Sequence, residues 1–114
     1  MKPLHLEVLY SGDHNLSCYY MAEVVKVVAS TFPEELRWEI VYILKKDGAK
    51  RFYDLSVSLY GEENVRKHHC CAPVPSLFID GRLVFDQIPP VEELTEVIRR
   101  MLEQRKLAGE GQGT

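Results

Sequence analysis

Long apolar runs are missing from this 114-residue chain. None approaches the roughly 20 consecutive residues that cross a bilayer, so no membrane partner is expected. A basic excess is missing too. Fourteen Lys and Arg stand against 17 Asp and Glu, a net charge of −3, which argues against a nucleic-acid partner, since such binders are normally basic. Cysteine is scarce and odd in number: Cys18, Cys70 and Cys71. That count does not describe a disulfide scaffold, and in a reducing compartment the default state is thiol. The stretch Met1–Glu7 lacks a signal peptide's unbroken apolar region and small-residue cleavage site, which predicts a cytoplasmic protein. No phosphate loop, serine-nucleophile motif or paired-carboxylate motif occurs, and no cofactor is expected.

What is present is ordinary globular material, 46% hydrophobic and 27% charged, long enough for one core. In Leu4–Tyr10, Leu4, Leu6, Val8 and Tyr10 alternate with His5, Glu7 and Leu9, the period-two pattern of a strand. Ser11–Asn15 is turn-like and rich in N-cap residues. From Asn15 or Ser17 to Ser30, Met21, Val24, Val25, Val28 and Ala29 form one apolar helical stripe, stopped by Pro33. Trp38–Leu44 is nearly all apolar, which predicts a central strand covered on both faces. A second helix is expected over 49–60, with Phe52, Leu55 and Leu59 on one side and Gly61 as its stop. Residues 62–67 fit a further helical turn. Ile88-Pro89-Pro90 opens a last helix with Val91, Leu94, Ile98, Met101 and Leu102 as its stripe.

Between these lies Ala72-Pro73-Val74-Pro75-Ser76-Leu77-Phe78-Ile79-Asp80-Gly81-Arg82-Leu83-Val84-Phe85. Asp80-Gly81 between two short apolar runs predicts a two-residue hairpin, with positive φ at both loop positions. Pro75 cannot donate to a ladder and belongs at the strand's start, where a cis peptide is most plausible. The resulting order is β-α-β-α-β-β-α. A helix between the first two strands implies a parallel, right-handed crossover, and the hairpin makes the last pair antiparallel. The expected fold class is α/β, a four-stranded mixed sheet with helices on both faces, over residues 1–107. Residues 108–114, rich in glycine, are expected to form a disordered tail.

Val74-Pro75-Ser76-Leu77, followed by a hairpin and a final helix, resembles the cis-proline segment of the thioredoxin-like superfamily. The resemblance spans about Leu4 to Arg105 and implies a redox motif at the start of the first helix, facing Pro75. Aligned without gaps, that motif is Asn15-Leu16-Ser17-Cys18. Cys18 matches the resolving cysteine, and Asn15 stands in place of the attacking one. His14 replaces the family's usual tryptophan, and Leu9 its buried carboxylate. A shifted register would instead make Cys18 the attacking residue of Cys18-Tyr19-Tyr20-Met21, as in single-cysteine variants.

Three functions remain open on these residues. One is an atypical thiol–disulfide oxidoreductase or redox sensor. It would use Cys18 with Cys71, or Cys70 in its place, beside Pro75, with His14 and His69 as local bases and a protein or small-molecule thiol or disulfide as partner. Another is a redox-inactive binding or scaffold module, since folds outlive their chemistry. The last is soft-metal binding by His14, Cys18, His68, His69, Cys70 and Cys71, although His-His-Cys-Cys lacks zinc-knuckle spacing.

Overall fold

The computed structural model describes residues 2–112, with side chains through Leu107. The elements are β1 (Leu4–Tyr10), α1 (Leu16–Thr31), β2 (Leu36–Tyr42), α2 (Lys46–Tyr60), α3 (Glu62–His68), β3 (Ser76–Ile79), β4 (Arg82–Phe85) and α4 (Val91–Gln112). The strands form one mixed sheet in the order β2-β1-β3-β4. β1 pairs with β2 in parallel and with β3 antiparallel, and β3 and β4 form the antiparallel hairpin. Asp80 and Gly81 have φ of 50° and 81°, as a two-residue loop with right-handed strand twist requires. Asp80 also ties the hairpin to β1, because its carboxylate accepts from the His5 N–H at 3.0 Å. The Val74–Pro75 peptide is cis.

Alternation along β1 divides the core into two layers. Leu6 and Val8 join Met21, Val25 and Val28 of α1, Leu77 and Ile79 of β3, and Leu94 and Ile98 of α4 on one face. Leu9 joins Val41, Leu55 of α2, Ala72 and Phe78 on the other. Four valines give α1 modest intrinsic propensity. Burial of Met21, Val25 and Val28 to 0% exposure supplies what propensity does not.

Three expectations need correction or placing. β2 is an outer strand, not a central one. α1 packs on one face of β2 and α2 on the other, but only Leu36 and Val41 are buried, and an apolar run carries no information about lateral neighbours. Leu59 is 37% exposed and outside the core. Next to Leu55 the buried position goes to Ser56, whose hydroxyl accepts from the Ala72 N–H at 2.9 Å. Finally, the backbone of α4 runs to Gln112, so the tail expected from Ala108 falls on its last turn and on residues 113–114, which lie outside the described residues.

The β2–α2 junction depends on one close approach. A Cβ on Gly48 would overlap the Tyr42 carbonyl and lie 2.9 Å from the Tyr42 nitrogen. Only glycine lets α2 turn back onto β2 there.

Candidate functional site

The start of α1 is closed by a small hydrogen-bond net. Asn15 is the N-cap, and its Oδ1 accepts from the Cys18 N–H at 3.3 Å, satisfying one of the orphan amides of the first turn. Its Nδ2 donates to Ser11 Oγ at 3.2 Å. Ser11 in turn brings its backbone N–H and its Oγ each to 3.5 Å from Cys18 Sγ. The Cys18 thiol is thus held under the Ser11 turn, with 0% exposure. Below it, Tyr10 donates its hydroxyl to the Asp13 carboxylate. That bond, and then burial, push the Tyr10 pKa up to about 12. Tyr10 also packs edge-on against Tyr42, with ring centroids 5.5 Å apart.

Chemically this is a helix start whose positive end meets a neutral amide. A helix N-terminus stabilises an anion placed against it, but Asn15 ionises to none and is no nucleophile. Leu16, Tyr19 and Tyr20, on the outside of the same turn, are exposed, and the two tyrosine rings contact edge to face.

The antiparallel register pairs Leu9 with Ser76, so one step further Pro75 and Val74 run beside the end of β1. Ala72 is buried on the α2 face of the sheet, whereas Cys18 is buried on the α1 face. Cys71 is exposed, its Sγ 3.5 Å from the His69 carbonyl. Cys70 is half-buried, with its N–H bonded to the Asn64 carbonyl. All three cysteines are free thiols, and Cys18 and Cys71 contact different partners. His14 is exposed and lies over Gly12. His68 and His69 are exposed too, His69 in the left-handed region with φ of 54°.

One charged group escaped the sequence reading. Glu7, in the middle of β1, has 0% exposure. Arg51 of α2 reaches it with two parallel bonds, Nε to Oε2 and Nη2 to Oε1, both at 2.7 Å. The hydrogen bond to Glu7 raises the Arg51 pKa beyond its already high value. The expected alignment put a hydrophobe, Leu9, where a buried carboxylate was sought. The buried carboxylate sits two residues earlier, on the same face, and is neutralised by Arg51. Its sequence signal was slight: Glu7 shares its face with Leu9, which is the mark of a covered face rather than a wet one.

Among the described residues, the side chains of metal-ligand type that come within 4.8 Å of one another are His5, Glu7 and Glu39, and none of the expected Cys/His set is among them. Arg51 already engages both Glu7 oxygens and adds a positive charge there, which disfavours a cation. Among the described residues no helix is long and apolar enough to cross a membrane. Neither the family models nor the curated proteins compared with this chain match it.

Proposed function

We propose that this chain is a thioredoxin-like domain that works as a redox-inactive binding module. The observation that carries this reading is the start of α1, where Asn15 caps the helix and Cys18 is fully buried beneath Ser11. A thiol–disulfide exchange centre needs an accessible thiolate at the helix end. Here the end holds an amide, and the one thiol of the turn is closed off from solvent. The parallel β1-α1-β2 unit, the antiparallel β3–β4 hairpin and the place of Pro75 beside the end of β1 support the fold half of the reading.

The experiment is disulfide reduction with insulin as substrate and dithiothreitol as electron source, on the wild type and on Asn15→Cys. The wild type is expected to give no turnover above the dithiothreitol blank. Asn15→Cys places a thiol at the N-cap, one turn from Cys18, and is expected to form a reducible bridge and gain turnover. Wild-type turnover that Cys18→Ser abolishes would overturn the binding-module half. An Asn15→Cys variant that folds but forms no bridge would overturn the thioredoxin-like half.

The exposure of Cys71 favours a second reading, a thiol that takes a reversible cap. With oxidised glutathione, the Cys71 thiolate would attack one sulfur of the disulfide, form a protein–glutathione disulfide and release one glutathione thiolate. Intact mass after incubation with oxidised glutathione tests it, with Cys71→Ser as the control.

A further inference from the structure

β2 is an outer strand, and its edge carries few of the devices that keep strand edges apart. Its seven residues, Leu36–Tyr42, include no proline, glycine or lysine, and Trp38, Ile40, Val41 and Tyr42 are good strand formers. The opposite outer strand is managed differently. β4 has four residues, begins with exposed Arg82, and pairs with β3 through a register irregularity at Leu77/Phe78.

The hydrogen-bonding directions of β2 follow from its two ends. The Glu35 carbonyl accepts from Leu4 N–H, and Ile43 N–H donates to the Tyr10 carbonyl. Odd-numbered residues therefore turn their backbone groups toward β1, and even-numbered residues turn theirs outward. Trp38 and Ile40 present both N–H and C=O at the open edge. Leu36 presents its carbonyl alone, since its N–H is bonded to the Phe32 carbonyl.

We infer that this edge pairs antiparallel with the same edge of a second copy of the chain, about a two-fold axis at Trp38. Charge selects the register. An axis at Glu39 would set Glu39 against Glu39, and an axis at Arg37 would set Arg37 against Arg37, both repulsive. An axis at Ile40 would leave Arg37 opposite Ile43 and Glu39 opposite Val41, with no charge answered. With the axis at Trp38, each Arg37 lies opposite Glu39 of the second copy, and the contact occurs twice, as an isologous interface demands.

The same register pairs most of the open backbone at the centre of the edge. Trp38 N–H meets the Trp38 carbonyl of the second copy in both directions, and each Ile40 N–H meets a Leu36 carbonyl. It leaves out the Leu36 N–H, already bonded to the Phe32 carbonyl, so the Ile40 carbonyl gains no partner; the Tyr42 carbonyl, also outward, already accepts from the Lys45 N–H. On one face of the joined sheet lie the Arg37–Glu39 pairs. On the other lie Leu36, Trp38 and Ile40, of which Trp38 and Ile40 are only partly buried in the single chain. Arg37 makes no ion pair among the described residues. Glu39 is 57% exposed and has only a long, 3.5 Å approach to His5.

Sedimentation equilibrium over a dilution series, on the wild type, Arg37→Glu, Glu39→Arg and the double variant, tests the pairing. The wild type is expected to reach twice the 13.1 kDa chain mass and to fall to the single mass on dilution. Each single reversal puts like charges opposite each other twice and is expected to weaken the dimer at least about tenfold. The double variant exchanges the two charges and is expected to restore it. Both side chains are exposed, so the variants keep the fold, which circular dichroism checks. Trp38 is the single tryptophan, and its emission should shift with the same concentration dependence. Amide exchange at Trp38 and Ile40 should slow only in the dimer. A monomer at every concentration, a dimer indifferent to the single reversals, or one that the double variant fails to restore would overturn the proposal. So would fast exchange at Trp38 and Ile40 in the dimer.

Discussion

Replacing Arg51 by methionine keeps most of the aliphatic stem and removes the guanidinium. Glu7 would then stay at the centre of β1, at 0% exposure, with neither of its 2.7 Å donors. Breaking a buried ion pair by deleting one partner costs about 3–5 kcal/mol, because the remaining charge is left unanswered in low dielectric. Arg51 itself is 41% exposed, so water can follow the vacated side chain. The loss should therefore fall at the lower end, about 3 kcal/mol. That is a large part of a stability of about 5–15 kcal/mol. Exposed pairs such as Arg66–Glu62 and Lys67–Glu63 should give at most about 1 kcal/mol each when broken.

Equilibrium urea unfolding followed by circular dichroism reads the difference. With a slope of about 1–3 kcal/mol/M, the Arg51→Met midpoint should drop by about 1–3 M. Removing both charges in Glu7→Leu/Arg51→Met should return most of the stability, since an apolar pair of similar volume often replaces a buried ion pair at little cost. The reasoning fails if Arg51→Met unfolds within about 0.5 kcal/mol of the wild type, the range of a surface pair. It fails equally if the double variant is no more stable than the single one.

Gly48→Ala should destabilise by about 1–3 kcal/mol in the same assay, because the new methyl overlaps the Tyr42 backbone at the β2–α2 junction; an unchanged midpoint would mean that the junction yields freely. Ser76→Ala should stabilise by about 1 kcal/mol, since Ser76 Oγ is buried with no hydrogen-bond partner among the described residues. A loss of stability there would reveal a bond that the hydroxyl makes in solution. Tyr10 is held in its protonated form to about pH 12, against 10.0 for an ordinary tyrosine. The folded state thus binds this proton more tightly than the unfolded one. Its contribution to stability is whole below about pH 10 and is lost as pH rises through 12. An ultraviolet titration should show Tyr10 ionising late, and Asp13→Asn should bring it back toward the ordinary 10.0.

The hairpin was legible because its signal is local. Asp80-Gly81 sits between two short apolar runs, and both residues adopt the positive φ that such a loop needs. The α1 stripe was legible for the same reason, since period and burial agree from Met21 to Ala29. β2 was misplaced because an apolar run reports on the two faces of a strand and not on its sides. The Glu7–Arg51 pairing was not legible because its partners are 44 residues apart; only the face Glu7 shares with Leu9 hinted that the carboxylate is covered. The expected meeting of Cys18 with Cys71 rests on both loops approaching one end of the sheet. Ala72, beside Cys71, is tied to Ser56 of α2, and Cys18 is buried among the residues of the α1 layer. Asn15 at the start of the first helix was read directly from the chain. What the sequence could not carry is that this asparagine caps the helix and, through Ser11, helps to close Cys18 in.

The most direct measurement of the central claim is alkylation of the native, reduced protein with iodoacetamide, followed in time by peptide mapping at each cysteine. Cys71 is exposed and should label first, half-buried Cys70 more slowly, and Cys18 only as fast as the domain opens, with its rate rising in urea in step with unfolding. Labelling of Cys18 as fast as Cys71 in the folded protein, with no dependence on unfolding, would contradict the sealed helix start and return α1 to the company of working redox sites.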